Sequence, residues 1–450
     1  MAGYGYIGQA GSGKTTQLIN RVETSIDFAS WPNSSSILAI TFMHGSRRRL
    51  EQKLRHIQTR GVQVCCQTID AFCLNIVQRY KSYLNIRLSV IVCDNPDEFS
   101  DIDGRLYLGI NRIRDKANEL LDFNVIRDIL SYSYPLIVVD EFQDCDGVLL
   151  EIIQKLSDCG YLFAAADDFQ KLDNSPDCPA IAWLQRGLEF TNLESIWRTS
   201  NDSILNSASA IRTNNSTSSG IQLEFVPSKD IAAYVILSNM QWYDRMGSNG
   251  RKVVIISPVG PHSDTFVQQT LERLYYPMER KTTKKKKGYR LEPKPFQIEG
   301  EQRITPLEIL NQLDGWDKID VVTREIIDTW SYEEHIGFAI CIGRAIRLMK
   351  LRNTRQVTKA EFSGLLSSSI HFANTYVSSR KDNRIFLTVH GAKNREFDDV
   401  FILWPQYTLP TQDLYLRKLI YNAITRAKRK VVLIVQGSEA RHSECPLNLL

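Results

Sequence analysis

Paired cysteines are missing from this sequence. Its nine cysteines, at 65, 66, 73, 93, 145, 159, 178, 341 and 445, form no Cys-x-x-Cys pair and no Cys/His spacing of a zinc site. The odd number and the lack of a framework exclude a disulfide-stapled scaffold and fit reduced thiols, so a cytoplasmic setting is expected. No apolar run approaches the roughly 20 residues of a membrane span, so no membrane partner is expected. The start, Met1-Ala2-Gly3-Tyr4-Gly5-Tyr6, has no charged region leading into an apolar core, as a secretory signal would. Charge of one sign is also scarce. The 55 Lys and Arg against 51 Asp and Glu leave a net +4, so a polyanionic partner would have to be met by a local basic groove.

What is present is a chain of 450 residues, 43% hydrophobic and 24% charged. That length exceeds a single ordinary core and implies two to four domains. The one dense charge block is the lysine-rich loop 280–290, from Arg280-Lys281 through Lys284-Lys285-Lys286-Lys287 to Arg290. It reads first as a solvated loop and second as a contact to a phosphate backbone.

The segment Gly8-Gln9-Ala10-Gly11-Ser12-Gly13-Lys14-Thr15-Thr16 fits the full G-x-x-x-x-G-K-[ST] pattern of a phosphate loop. Glycines let the backbone curl until its N–H groups point at phosphate oxygens. Lys14 is then placed to neutralise the β- and γ-phosphates, and Thr15 to offer its hydroxyl to Mg2+. Tyr4 to Ile7 reads as a short strand and Gln17 to Val22 as part of an amphipathic helix, whose N-terminus attracts anions. A nucleoside triphosphate site follows, although the loop alone does not separate kinases, GTPases, helicases and transporters.

Leu136-Ile137-Val138-Val139 suits a buried parallel strand, and Asp140 and Glu141 follow at the end that opens onto a ligand crevice. Asp140 can hold Mg2+ there, and Glu141 can take a proton from an attacking water.

Asp140-Glu141-Phe142-Gln143-Asp144 resembles the acidic signature of the UvrD/Rep-like helicases of superfamily 1, and other segments follow in that family's order. Thr41-Phe42-Met43-His44 resembles its second motif, with His44 for Asn. Thr68-Ile69-Asp70-Ala71-Phe72 is similar to T-x-H-x-F, with Asp70 for His. Ala166-Asp167-Asp168-Phe169-Gln170 is similar to G-D-x-x-Q, with Ala for Gly. Leu193 to Ser200, containing Ile196-Trp197-Arg198, resembles L-x-x-N-Y-R-S. Val389 to Phe397 resembles V-H-x-A-K-G-x-E-F, with Asn394 for Gly. Tyr421-Asn422-Ala423-Ile424-Thr425-Arg426-Ala427 resembles Y-V-A-x-T-R-A.

The resemblance spans residues 8 to 427. It implies an α/β fold of two RecA-like P-loop NTPase lobes with parallel sheets, each carrying a mainly helical insertion. The first lobe (1A) would use 1–75 and 131–199, with insertion 76–130 (1B). The second (2A) would use 200–262 and 383–450, with insertion 263–382 (2B). Within these, 251–257, 385–389, 399–403 and 430–435 read as buried strands, and 307–313 and 336–351 show helical apolar spacing. The implied activity is ATP hydrolysis with Mg2+ on single-stranded or tailed duplex DNA, driving movement 3′ to 5′. Gln170 would sense the γ-phosphate or hold the attacking water, Arg198 and Arg426 would be arginine fingers, Trp197 would stack on adenine and Glu396 would contact ribose. Thr41, Phe42, His44, Thr68, Phe72 and His390 are the implied nucleic-acid contacts, by phosphate bonding or base stacking.

Departures matter too. Few residues precede Gly8, where the family usually has a glutamine that recognises adenine. The family's base-gripping aromatic stretch after Gln170 is missing, with Trp183 a distant substitute. About 20 residues follow the last motif, and none resembles a nuclease. Small helicases of this type can work with a separate nuclease subunit, as in Gabija-type antiphage systems. The competing expectation is therefore an ATP-dependent switch that senses DNA and controls a partner nuclease. A small-molecule P-loop kinase is a third reading, opposed by Thr425-Arg426-Ala427.

Overall fold

The computed structural model describes residues 3–27, 31–42, 44–93, 100–102, 105–173, 175, 177–215, 217–218, 220–245, 250–280, 288–298, 309–311, 313, 315–330, 336–376, 383–405, 413–438 and 447–448. Its contacts group the chain into two compact units. Unit 1 comprises Met1–Ala232, Ile256–Val267 and Thr388–Leu450, and unit 2 comprises Ala233–Ile255 and Gln268–Leu387.

In unit 1 a six-stranded sheet runs in the spatial order Gln63–Thr68, Ser36–Thr41, Leu136–Val139, Tyr161–Ala166, Gly3–Gly8, Glu189–Leu193. Every pairing is parallel, so all six C-terminal ends meet one edge. Period-two alternation deals the side chains to two cores. Leu38, Ile40, Ile137, Val139, Leu162 and Ala164 enter one, while Ile37, Ala39, Leu136, Val138, Phe163 and Ala165 enter the other. A sheet buried on both faces explains why Leu136–Val139 is uninterruptedly apolar, and all four residues are buried.

A second parallel arrangement in unit 1 places Gln222–Val226 beside Ala427–Gln436 and that strand beside Phe397–Trp404. The expected strands at 399–403 and 430–435 lie inside these, and those at 251–257 and 385–389 appear as Val253–Ser257 and Arg384–Thr388. The fold is thus α/β with parallel sheets. The segment 76–130 combines helices with strands. Besides the helices Ile110–Leu120 and Asn124–Ser133, it builds a three-stranded sheet from Ser89–Cys93, Arg105–Gly109 and Ser100–Ile102. Val90, Leu106 and Leu108 anchor that sheet in the core.

Unit 2 has its own core around Trp316, Trp330, Phe338 and Phe362, with the helices Ile336–Leu351, as expected, and Lys359–Tyr376. The expected helix at 307–313 lies largely outside the described residues, as do 281–287 of the lysine-rich loop. The flanks of that loop, Met278–Arg280 and Tyr289–Leu291, pair antiparallel. Among the described residues, no helix is long and apolar enough to cross a membrane, and seven cysteines are free thiols.

Candidate active site

The phosphate loop joins the strand Gly3–Gly8 to the helix Lys14–Ser25. Gly11 and Gly13 hold φ of 82° and 83°, a left-handed conformation that glycine adopts without strain. A Cβ on Gly11 would also stand 2.5 Å from the Arg198 Cβ. Gly13 occupies the N-cap with no side-chain capping bond, so the first N–H groups of the helix remain available to an anion. The Ser12 hydroxyl is buried and has no hydrogen-bond partner.

Sheet register brings the acidic strand end alongside. Asp140 N donates to Ile40 O, and the Thr15 hydroxyl donates to the Asp140 carboxylate at 3.1 and 3.3 Å. Burial first, then the neighbouring Glu141 charge, raises the Asp140 carboxyl to about 6, opposed by Lys53, Thr15 and Lys14. A hydroxyl paired with a charge-starved carboxylate suits Mg2+, whose remaining ligands would come from nucleotide and water. Among the described residues no group of three or more His, Cys, Asp or Glu forms a separate metal cluster. Glu141 adopts φ 61°, unusual for a non-glycine residue. Its carboxylate accepts from Gln143 Nε2. The fully buried Gln143 in turn accepts from Asp167 N at 3.0 Å, tying two of the quoted motifs together. Gln170 is buried beside Asp167, its N–H bonded to Asp167 O.

From the opposite side of the loop, Trp197 N donates to Gly11 O at 2.7 Å. The Trp197 ring is 78% exposed and reaches within 3.6 Å of where a Gly13 Cβ would stand, a rim position open for stacking. Arg198 donates to Glu396 at 3.0 Å and to Thr425 O at 2.9 Å. Burial would raise the Glu396 pKa, but Arg198, Lys428 and Arg49 together hold it below the ordinary value. Arg426 is buried, donating to Asn422 O and the Thr425 hydroxyl. Burial first, then Arg198, lowers its pKa to about 10, while Glu141 pulls the other way.

The nucleic-acid candidates divide. Thr41 and Thr68 are buried at strand ends, and the Thr68 hydroxyl caps its helix by accepting from Ala71 N. Phe72 is 1% exposed inside the core, so its ring packs among apolar side chains and faces no ligand. Phe42 is partly buried against the same core. His390 is exposed on the short helix Val389–Ala392. The His44 side chain lies outside the described residues. Trp183 packs on Phe142, with ring centroids 5.7 Å apart.

Sequence reasoning missed the residues that lock the two sheets' motifs together. Lys393 donates to both Asp144 oxygens at 2.6 Å, and the Tyr421 hydroxyl accepts from Ala10 N at 3.1 Å. Both lie inside the quoted motif strings, which was their only signal. Arg212 binds Asp167 at 2.9 Å and carried no signal. On the helix His44–Thr59, burial lowers the pKa of Arg49 and of Lys53, while the charges of Glu396 and Asp140 respectively raise it. Asn394, standing for the family's glycine, holds φ 62°, which asparagine tolerates better than most residues.

Two family models match parts of the chain. Residues 7–122 match the model of the UvrD/REP helicase N-terminal domain, and 385–434 match that of the UvrD-like helicase C-terminal domain. No curated protein matches the sequence. Similar solved structures include the helicase nonstructural protein 10 of Arterivirus, at 12% identity and TM-score 0.37 over 99% of this chain and 62% of that one. The same helicase in complex with DNA follows at 11% identity and TM-score 0.36, over 98% and 63%. The PRRSV helicase follows at 11% and 0.34, over 96% and 52%. The chain therefore spans between about half and two thirds of the length of these structures.

Proposed function

The chain belongs to the UvrD/Rep-like helicases of superfamily 1, and on that premise we propose that it is an ATP-dependent DNA translocase or helicase. The observation that carries the reading is the convergence, within unit 1, of Lys14, Thr15 and Asp140 with Glu141, Arg198 and Arg426. ATP with Mg2+ would supply the phosphoryl transfer whose energy drives movement. Gly8 through Thr16 bind the phosphates, Thr15 and Asp140 hold the ion, and Glu141 accepts a proton from water. Gln170 orients that water, Arg198 and Arg426 neutralise charge spreading onto the phosphoryl oxygens, and Trp197 and Glu396 receive base and ribose. Movement 3′ to 5′, the four-part division at 75, 130, 199, 262 and 382, and contact of the exposed His390 with the DNA backbone belong to the same proposal.

The test is steady-state ATP hydrolysis with and without single-stranded DNA, alongside Lys14→Ala and Glu141→Gln. Stimulation that both substitutions abolish supports the motor. Nucleotide binding with no DNA-stimulated turnover rejects it. A second reading, a DNA- and nucleotide-sensing switch acting on a separate nuclease, is favoured by the burial of Phe72 and the packing of Phe42 and Trp183. Of the aromatics the motifs offer for base stacking, Phe72 is thereby removed and Phe42 is partly covered. Strand displacement on a 3′-tailed duplex separates the two, because the switch binds the duplex without opening it.

A further inference from the structure

Asp167 follows the strand Tyr161–Ala166 and is completely buried. One carboxylate oxygen accepts from Arg212 Nη1 at 2.9 Å and from Phe169 N at 3.2 Å. The other has no hydrogen-bond partner and stands 3.6 Å from Lys14 Nζ. Lys14 meanwhile donates to Gly8 O and Gln9 O, both at 2.9 Å. A buried anion thus lies between two cations, one of which is the phosphate-binding lysine.

Arg212 is well anchored for this task. It sits in the last turn of the helix Asp202–Thr213, where the helix end favours a cation. Its second terminal nitrogen bonds Asp168. Its guanidinium lies 5.4 Å from the Phe169 ring centre and 5.8 Å from that of Tyr421. These two rings meet edge to face at 5.0 Å, and the Tyr421 hydroxyl receives the Ala10 N–H of the phosphate loop. Arg417 donates to the carbonyls of Ile211 and Arg212, fixing the backbone beneath the guanidinium.

We propose that Arg212 is a positioning residue of the nucleotide site, neutralising Asp167 so that the Lys14 ammonium is left for phosphate. A buried carboxylate that loses one of two cations binds the other more tightly, because little water reaches it. Without Arg212, Asp167 joins the Gly8 and Gln9 carbonyls in holding Lys14 down against the loop, and nucleotide has to compete for it. The proposal rests on the reading of residues 8–16 as a triphosphate site.

The experiment measures binding of a fluorescent ATP analogue with Mg2+, and the KM and kcat of ATP hydrolysis. It uses the full chain, Arg212→Met, Asp167→Asn and the double substitution. Arg212→Met weakens binding by about tenfold or more, the scale of one charge-assisted hydrogen bond, and raises KM more than it lowers kcat. Adding Asp167→Asn to Arg212→Met restores binding to within about threefold, since the competing anion is gone. Arg212→Met that binds like the unaltered chain, or a double variant as weak as Arg212→Met, overturns the proposal. Should Arg212→Met fail to fold, Asp167→Asn alone decides: unchanged or tighter binding supports the proposal, and weaker binding by folded protein refutes it. Failure of the unaltered chain to bind nucleotide, with Lys14→Ala no different, rejects the triphosphate reading itself.

Discussion

The two units bury different kinds of residue. In unit 1 the buried side chains include Asp140, Asp167, Lys171, Lys393, Asp399, Lys418 and Arg426, with Gln143, Gln170 and Asn422 among them. In unit 2 the buried side chains among the described residues include no charged group, the polar ones being Thr270, Ser369 and Tyr243, and the core is aromatic and aliphatic. Burying a charge costs several kcal/mol unless partners compensate it. In unit 1 partners supply that compensation: Lys393 for Asp144, Arg212 for Asp167 and Asp173 for Lys418. Unit 2 is built on apolar packing, and unit 1 on packing plus a compensated ionic network around the phosphate loop.

Substitutions in the two units should therefore separate activity from stability. The largest effect is expected at Arg198. Arg198→Ala should lower DNA-stimulated ATP turnover about 10³-fold, the lower range for an arginine finger, with little change in melting temperature. A loss below tenfold would remove Arg198 from the site. Lys14→Ala should cost at least about 10²-fold in the same assay, and fluorescent-nucleotide titration should show weakened binding.

Unit 2 should give the converse. Phe362→Ala opens a cavity beside Trp316 and Trp330 and should cost about 3–5 kcal/mol of stability in urea unfolding. Nucleotide affinity per folded molecule should not change, and a large change would break the contrast between the units. An intermediate case tests the ionic network. Lys393→Met strands the Asp144 carboxylate and should cost roughly 3 kcal/mol, most of it regained on adding Asp144→Leu. Equal instability of the single and double variants would mean that packing, not charge, sets the cost.

The smallest effect concerns thiols. Burial first, then the Asp70 charge, raises the Cys73 thiol to about 12. A higher pKa means less thiolate, so native protein at pH 8 should leave Cys73 unalkylated by iodoacetamide while urea exposes it. Labelling of Cys73 in the native state, read by mass spectrometry, would show that this part of unit 1 opens readily.

Much of the site was legible in the sequence because its chemistry is local. The loop from Gly8 to Thr16, the apolar strand ending in Asp140-Glu141, and the helix Ile336–Leu351 each depend on neighbours a few residues away. Glycine φ freedom, period-two alternation and helical spacing act at that range. Less local features went astray. Within 76–130 the strands that hold Val90, Leu106 and Leu108 pair into a core built from distant residues, which helical spacing alone does not reveal. Phe72 and Trp197, both aromatic and both in motif-like strings, parted ways: one is 1% exposed and the other 78%.

The sequence by itself determined the glycine-shaped turn at residues 8–16, the apolar strand ending at Asp140-Glu141 and the α/β class, because glycine freedom and period-two alternation act over a few residues. Tertiary structure alone decided which charges neutralise which. Lys393 finds Asp144 across 249 positions, Ala10 finds Tyr421 across 411, and Arg212 finds Asp167 across 45. Such pairings are set by how sheets and helices close on one another, and a buried ion must take whatever partner that closure delivers.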